Sequence, residues 1–169
     1  MLALFLFANG LNAQPESNES VRTRVPANIN YLVKLLGVTL DSAQARITKG
    51  GFKYKFTETP VEEDKGKVAF DEWEGITRKG HMIVLGYDIS TKTIVSVSYN
   101  AYKRDYYSRL MNDSLRTAGY KWNLRPNPDG KDKDVWTQVG KPTIVITPMA
   151  ADQYDIEAIL ETESKRRRL

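Results

Sequence analysis

Cysteine is absent from all 169 residues, and that one omission removes several functions at once. It excludes a thiolate nucleophile, a cysteine metal site and a disulfide framework. Lipid attachment as a bacterial lipoprotein goes with them, because it needs a Cys behind the apolar leader. Histidine is nearly as scarce, with His81 the only one. It has no second ligand of its own kind, so a zinc site is not expected, and no Gly-x-Ser-x-Gly elbow exists to join it in a triad. Gly50-Gly51 closes a helical stretch where a phosphate loop would open one, the wrong polarity for anion binding. No cofactor and no metal are therefore expected. Beyond the first eight residues, no apolar run approaches the length of a membrane span.

A strong charge of one sign is also missing from the body of the chain. The formal net charge is +4, but Lys165, Arg166, Arg167 and Arg168 carry that whole excess at one end. A nucleic-acid binder needs a basic face on its fold, so nucleic acid is not an expected partner. The basic end, residues 163–169, reads as a solvated tail that offers at most weak contact with an anionic surface. With 41% hydrophobic and 27% charged residues, the composition is that of an ordinary globular protein.

What is present begins with Leu2-Ala3-Leu4-Phe5-Leu6-Phe7, followed by small and polar residues ending in Asn12-Ala13-Gln14. A short apolar core before a small-residue site has the shape of a secretory leader, although no Lys or Arg precedes it. The Asn-Ala-Gln ending resembles the leaders of secreted Bacteroidota proteins. Residues 1–13 are expected to be a signal peptide and 14–27 a linker marked by Pro15 and Pro26. A periplasmic or extracellular location follows from that reading.

The rest of the chain repeats a pattern. Gly51-Phe52-Lys53-Tyr54 ends a helical pattern and opens an alternating one, and Gly119-Tyr120-Lys121-Trp122 does the same. Each is followed by a Trp (Trp73, Trp136), a Gly (Gly80, Gly140), an apolar run and a last alternating run. Ile29, Leu32, Val33 and Leu36 recur at helical spacing, as do Leu40, Ala43 and Ile47 behind a Thr39 cap. A longer helix is expected over Tyr102–Ala118, with Leu110, Met111 and Leu115 inward. Strands are expected at Phe52–Thr57, Lys67–Trp73, His81–Asp88 and Thr93–Asn100. In the second half they are expected at Tyr120–Leu124, Asp134–Val139, Thr143–Pro148 and Tyr154–Glu161. The class is α+β, with two tandem helix-plus-antiparallel-sheet repeats of αβββ type, residues 28–100 and 101–162, and the helices packed on one sheet face.

On Gly37-Val38-Thr39-Leu40-Asp41, Ala43, Ile47 and Gly51-Phe52, the chain resembles the SmpA/OmlA outer-membrane assembly lipoproteins. It also resembles the tandem repeats of the β-lactamase inhibitor protein fold. The likeness covers the element order from Asn28 to Leu160 and implies a tandem α+β architecture. It differs from the lipoproteins in lacking the lipidated Cys.

Aromatic residues are the richer signal for function. Tyr54, Tyr99, Trp73, Trp122 and Trp136 all fall on expected strands, and Tyr and Trp dominate binding hot spots as well as cores. The leading expectation is a secreted, non-enzymatic binding module that presents an aromatic-bearing sheet face to a protein or peptide. One alternative is an envelope-associated structural or assembly factor, on the resemblance above. Another is a glycan hydrolase using Asp71, Glu72 and Glu74 around Trp73, since paired carboxylates cleave glycosidic bonds.

Overall fold

The computed structural model describes residues 29–58, 68–76, 80–102, 113–126, 132–149 and 153–169. The expected leader, the linker and residues 103–112 of the expected long helix lie outside the described residues. Eight strands make one antiparallel sheet: β1 (Phe52–Glu58), β2 (Val68–Gly75), β3 (Met82–Asp88), β4 (Ile94–Tyr102), β5 (Lys121–Arg125), β6 (Lys133–Thr137), β7 (Thr143–Pro148) and β8 (Gln153–Ile159). Their spatial order is β1-β2-β3-β4-β8-β7-β6-β5. Each run of four consecutive strands is a meander, and the two meanders meet where β4 pairs with β8. Helices α1 (Ile29–Val33) and α2 (Leu40–Lys49) precede the sheet, α3 (Glu161–Arg166) follows it, and residues 113–117 are helical ahead of β5. The protein is α+β. No helix among the described residues is long and apolar enough to cross a membrane.

Local chemistry explains the element boundaries. The Ser42 amide donates to the Thr39 hydroxyl at 3.4 Å, which satisfies an orphan donor at the start of α2, and Asp41 sits in the first turn. The chain leaves α2 through Gly51 at φ +88° and leaves the second helical stretch through Gly119 at φ +86°. Both angles suit glycine because it has no Cβ to clash. Between α1 and α2 the backbone is pinned to the start of β4 by Gly37 N to Ile94 O at 2.9 Å and Ile94 N to Val38 O at 2.9 Å.

Strand pairing divides the side chains between two faces, since partners directly opposite project to the same side. Trp73, Ile83, Tyr99 and Ile156 form one row across β2, β3, β4 and β8, and Leu85, Val97, Ala158 and Ile144 form another. All are buried, together with Leu32, Leu35, Ala43, Ile47 and Leu115. Each fully buried Leu or Ile removes about 1.5–3 kcal/mol of apolar exposure.

Three differences from the sequence expectation bear on the site. β4 runs to Tyr102, where a helix was expected to start, because its backbone pairs Tyr102 with Gln153 of β8. β8 ends at Ile159, and Glu161 begins α3. Most consequentially, the basic end is folded. The Thr143 hydroxyl donates to Ser164 at 2.8 Å, and Leu169 packs on Val135, Val145 and Ile159. Those three belong to the face opposite α1 and α2, so the helical elements do not all lie on one side. The reason is that Ser164, Leu169 and Arg167 all find partners on the sheet, Arg167 through Glu157 and Ser96.

Candidate binding groove

The face of the sheet away from α1 and α2 carries an open groove of about 390 Å³ across the β4–β8 seam. Its floor is set by alternation. Met82 and Val84 come from β3, Ser98 and Asn100 from β4, Asp155 and Glu157 from β8, and Val145 and Thr147 from β7. Asn100 lies opposite Asp155 and Ser98 opposite Glu157, so two polar rows meet at the seam, flanked by apolar ones. One end is closed by Arg167 and Leu169, brought there by the chain running on from α3.

Charge in the groove is organised by Arg167. Its Nη1 donates to Glu157 at 2.7 Å, its Nε to Glu163 at 2.8 Å and its Nη2 to Ser96 at 3.2 Å. Arg166 adds a fork to Glu163 at 2.7 and 2.6 Å. Burial opposes ionisation of Glu163, but the hydrogen bonds from Arg166 and Arg167 outweigh it and hold its carboxyl below the ordinary value. Asp155 behaves in the opposite way. Burial first, and the Glu157 charge second, push it up to about 7, against the Ser98 hydrogen bond and the Lys133 charge. Asn100 Oδ1, across the seam, is buried without a hydrogen-bond partner. A carboxyl that changes charge near neutral pH, set in a cleft beside apolar surface, is a recognised mark of a functional surface.

The five aromatics expected to form the binding surface are divided by the fold. Trp73 is 6% exposed, Trp136 is 1% exposed, and Tyr99 is fully buried with its hydroxyl 2.5 Å from His81 Nδ1. These three are core residues and are corrected as such. They sit on interior strands, on the face that the helical elements cover. Trp122 and Tyr54 remain exposed, at 52% and 50%, because β5 and β1 are the two edges of the sheet. Tyr54 packs edge-on against Trp73 at 5.5 Å, and the Trp122 indole N–H donates to Asp134 at 3.0 Å. The structure therefore places the surviving aromatics on the helix-side face but at its opposite edges, too far apart to form one surface.

Alternation also separates the carboxylates around Trp73. Asp71 is buried on the helix side, accepting from Thr57 at 2.7 Å and Gln44 at 3.0 Å. Glu72 and Glu74 project from the other face, paired with Lys55 at 2.6 Å and Lys53 at 3.8 Å. Asp71 cannot act with either of them on one substrate. Among the described residues no group of three or more acidic or His side chains is placed to hold a metal ion.

Sequence reading did not single out Asp155, Asn100, Met82 or Val84. A signal for the first was available in Gln153-Tyr154-Asp155-Ile156-Glu157-Ala158, whose polar–apolar alternation sets Asp155 and Glu157 on one face. No family model matches the chain, and neither a curated protein nor a solved structure gives a match.

Proposed function

We propose that the protein is a non-enzymatic binding module that takes a protein or peptide segment on the sheet face opposite α1 and α2. The observation that carries this reading is the groove across the β4–β8 seam, where half-buried Met82 and Val84 flank polar Asn100 and Asp155. Apolar surface gives a partner contact area, and a few fixed polar groups set its register. Tyr54 and Trp122 share the other face with their partners Trp73 and Trp136, so the groove's contact surface is aliphatic and polar. Export, suggested by the apolar opening of the chain, would bring the module to partners outside the cytoplasm.

We further infer that the two meanders are copies of one ancestral unit, and three correspondences support this. Gly51 and Gly119 share a left-handed helix exit. Exposed Tyr54 faces buried Trp73 across β1 and β2, as exposed Trp122 faces buried Trp136 across β5 and β6. The strand order also reads outward from the seam in the same sense on both sides. An envelope-assembly role remains a reading of the resemblance to the assembly lipoproteins, and no side chain of the groove favours it.

The test is a pair of charge insertions read by titration against the partner isolated with the wild-type protein. Val84→Lys, in the groove, is expected to weaken binding at least tenfold. Ala45→Lys, on the exposed surface of α2, is expected to leave it unchanged. Equal affinity in both variants would remove the groove from consideration.

A further inference from the structure

The two edges of the sheet are built differently, and the difference points to a second interaction surface along β5. On β1, Lys53 and Lys55 are each matched by a glutamate of the neighbouring strand, Glu74 at 3.8 Å and Glu72 at 2.6 Å. On β5 the pattern is reversed. Arg125 lies directly opposite Lys133 of β6, and Lys121 lies opposite Thr137. Like charges facing each other across a ladder are destabilising, so this edge carries a cost that the other avoids. Among the described residues none of Lys121, Arg125, Lys133 and Lys141 joins an ion pair. Lys121 and Lys141 also line a cleft of about 500 Å³ beside the strand.

The same strand is exposed along its whole length and pairs only with β6 among the described residues. Among the described residues no strand takes its outer backbone groups, the situation in which an extended peptide adds to a sheet. Trp122 and Leu124, both large and exposed, alternate with Lys121, Asn123 and Arg125. A strand docked here meets two apolar anchors on one side and unmatched positive charge on the other. A second copy of β5 does not satisfy that pattern. Antiparallel self-pairing centred on Asn123 would set Lys121 against Arg125 of the other copy.

We propose that the free edge of β5 docks an extended acidic segment of a partner protein, which adds to the sheet as a further antiparallel or parallel strand. Main-chain hydrogen bonds hold it, apolar residues at alternate positions cover Trp122 and Leu124, and carboxylates between them answer Lys121 and Arg125. The edge strand itself lies outside the groove lining, and the proposal goes beyond the groove reading.

Trp122 reports the event, since it is the exposed tryptophan of the three while Trp73 and Trp136 are buried. The protein is titrated with a short peptide alternating glutamate and valine, with its lysine–valine counterpart, and with the acidic peptide N-methylated at alternate amides. A thymidine oligonucleotide is included to represent nucleic acid. The expected result is a saturable fluorescence change with the acidic peptide alone, weakened at least tenfold by N-methylation and by Arg125→Glu. Lys121→Gln, a milder change on the same exposed strand, is expected to weaken binding several-fold with an unaltered unfolding midpoint. Val84→Lys, in the groove, is expected to leave the titration unchanged, and a loss there would assign the peptide to the groove and overturn the edge proposal. No saturable response to the acidic peptide, an equal response to the lysine peptide, preferential binding of the oligonucleotide, or indifference to N-methylation or to Arg125→Glu would each overturn it as well.

Discussion

Replacing Asp155 by Asn should make the protein more stable at pH 8 than the wild type and should flatten its stability profile across neutral pH. The wild-type carboxyl is raised from 3.8 to about 7 by burial and by Glu157. An acid whose folded pKa is raised holds its proton more tightly in the folded state than in the unfolded chain. Stability is then greatest below pH 4 as far as this group is concerned, falls as pH rises through the interval between the two values, and levels off above 7. A shift of about three units at about 1.4 kcal/mol per unit sets the whole loss at roughly 4 kcal/mol. Roughly 2–3 kcal/mol of it falls between pH 5 and 8. Asn keeps the shape of the side chain and removes the charge. The assay is urea unfolding of both proteins at pH 5, 6, 7 and 8, comparing midpoints at constant slope. Asp88, held down to about 2 by the hydroxyls and amides of Ser90 and Thr91, titrates below this window and does not blur the comparison. Parallel pH profiles for wild type and Asp155→Asn would refute the reasoning, because they would mean that the folded carboxyl ionises as it does in the unfolded chain.

Other consequences follow from particular contacts. Gly86→Ala should destabilise by about 1–3 kcal/mol in thermal unfolding, since an added Cβ would collide with Ser96 Oγ and lie 2.9 Å from Phe70 Cε1. Trp136→Ala should cost about 3–5 kcal/mol, whereas Trp122→Ala, on the exposed edge, should cost under about 1 kcal/mol. Their unfolding midpoints measured side by side separate the two. Arg167→Met should cost about 3 kcal/mol and expose the last residues to carboxypeptidase, because it leaves Glu163 with one cation and Glu157 with none.

Much of the local structure could be read directly from residue order. Thr39 and Asp41 mark the start of α2, Gly51 and Gly119 mark helix exits, and the alternation of Ile94 to Tyr99 and of Gln153 to Ile159 marks strands. These signals act within a few residues and survive any tertiary arrangement. What escaped depends on which strands are neighbours. Trp73 and Trp122 look alike in sequence, yet one lies on an interior strand beneath helices and the other on an edge. Only the order β1-β2-β3-β4-β8-β7-β6-β5 tells them apart. The basic end escaped for a related reason. Ser164 meets Thr143 of β7, Leu169 packs on Val135, Val145 and Ile159, and Arg167 reaches Glu157, and none of the three forms a periodic pattern. Asp155 was visible as a polar residue on a strand, but its displaced pKa comes first from burial in the seam that β4 and β8 make together and then from Glu157 beside it.

The most direct test of the central claim is a photo-crosslinking map. A photoreactive amino acid is placed singly at Met82 and Thr147 in the groove and at Ala45 on α2, with the native partner fraction present. The account predicts one discrete crosslinked species from Met82 and from Thr147, none from Ala45, and loss of both groove adducts when Val84→Lys is added. Adducts from Ala45 with a silent groove, or adducts indifferent to Val84→Lys, would contradict it.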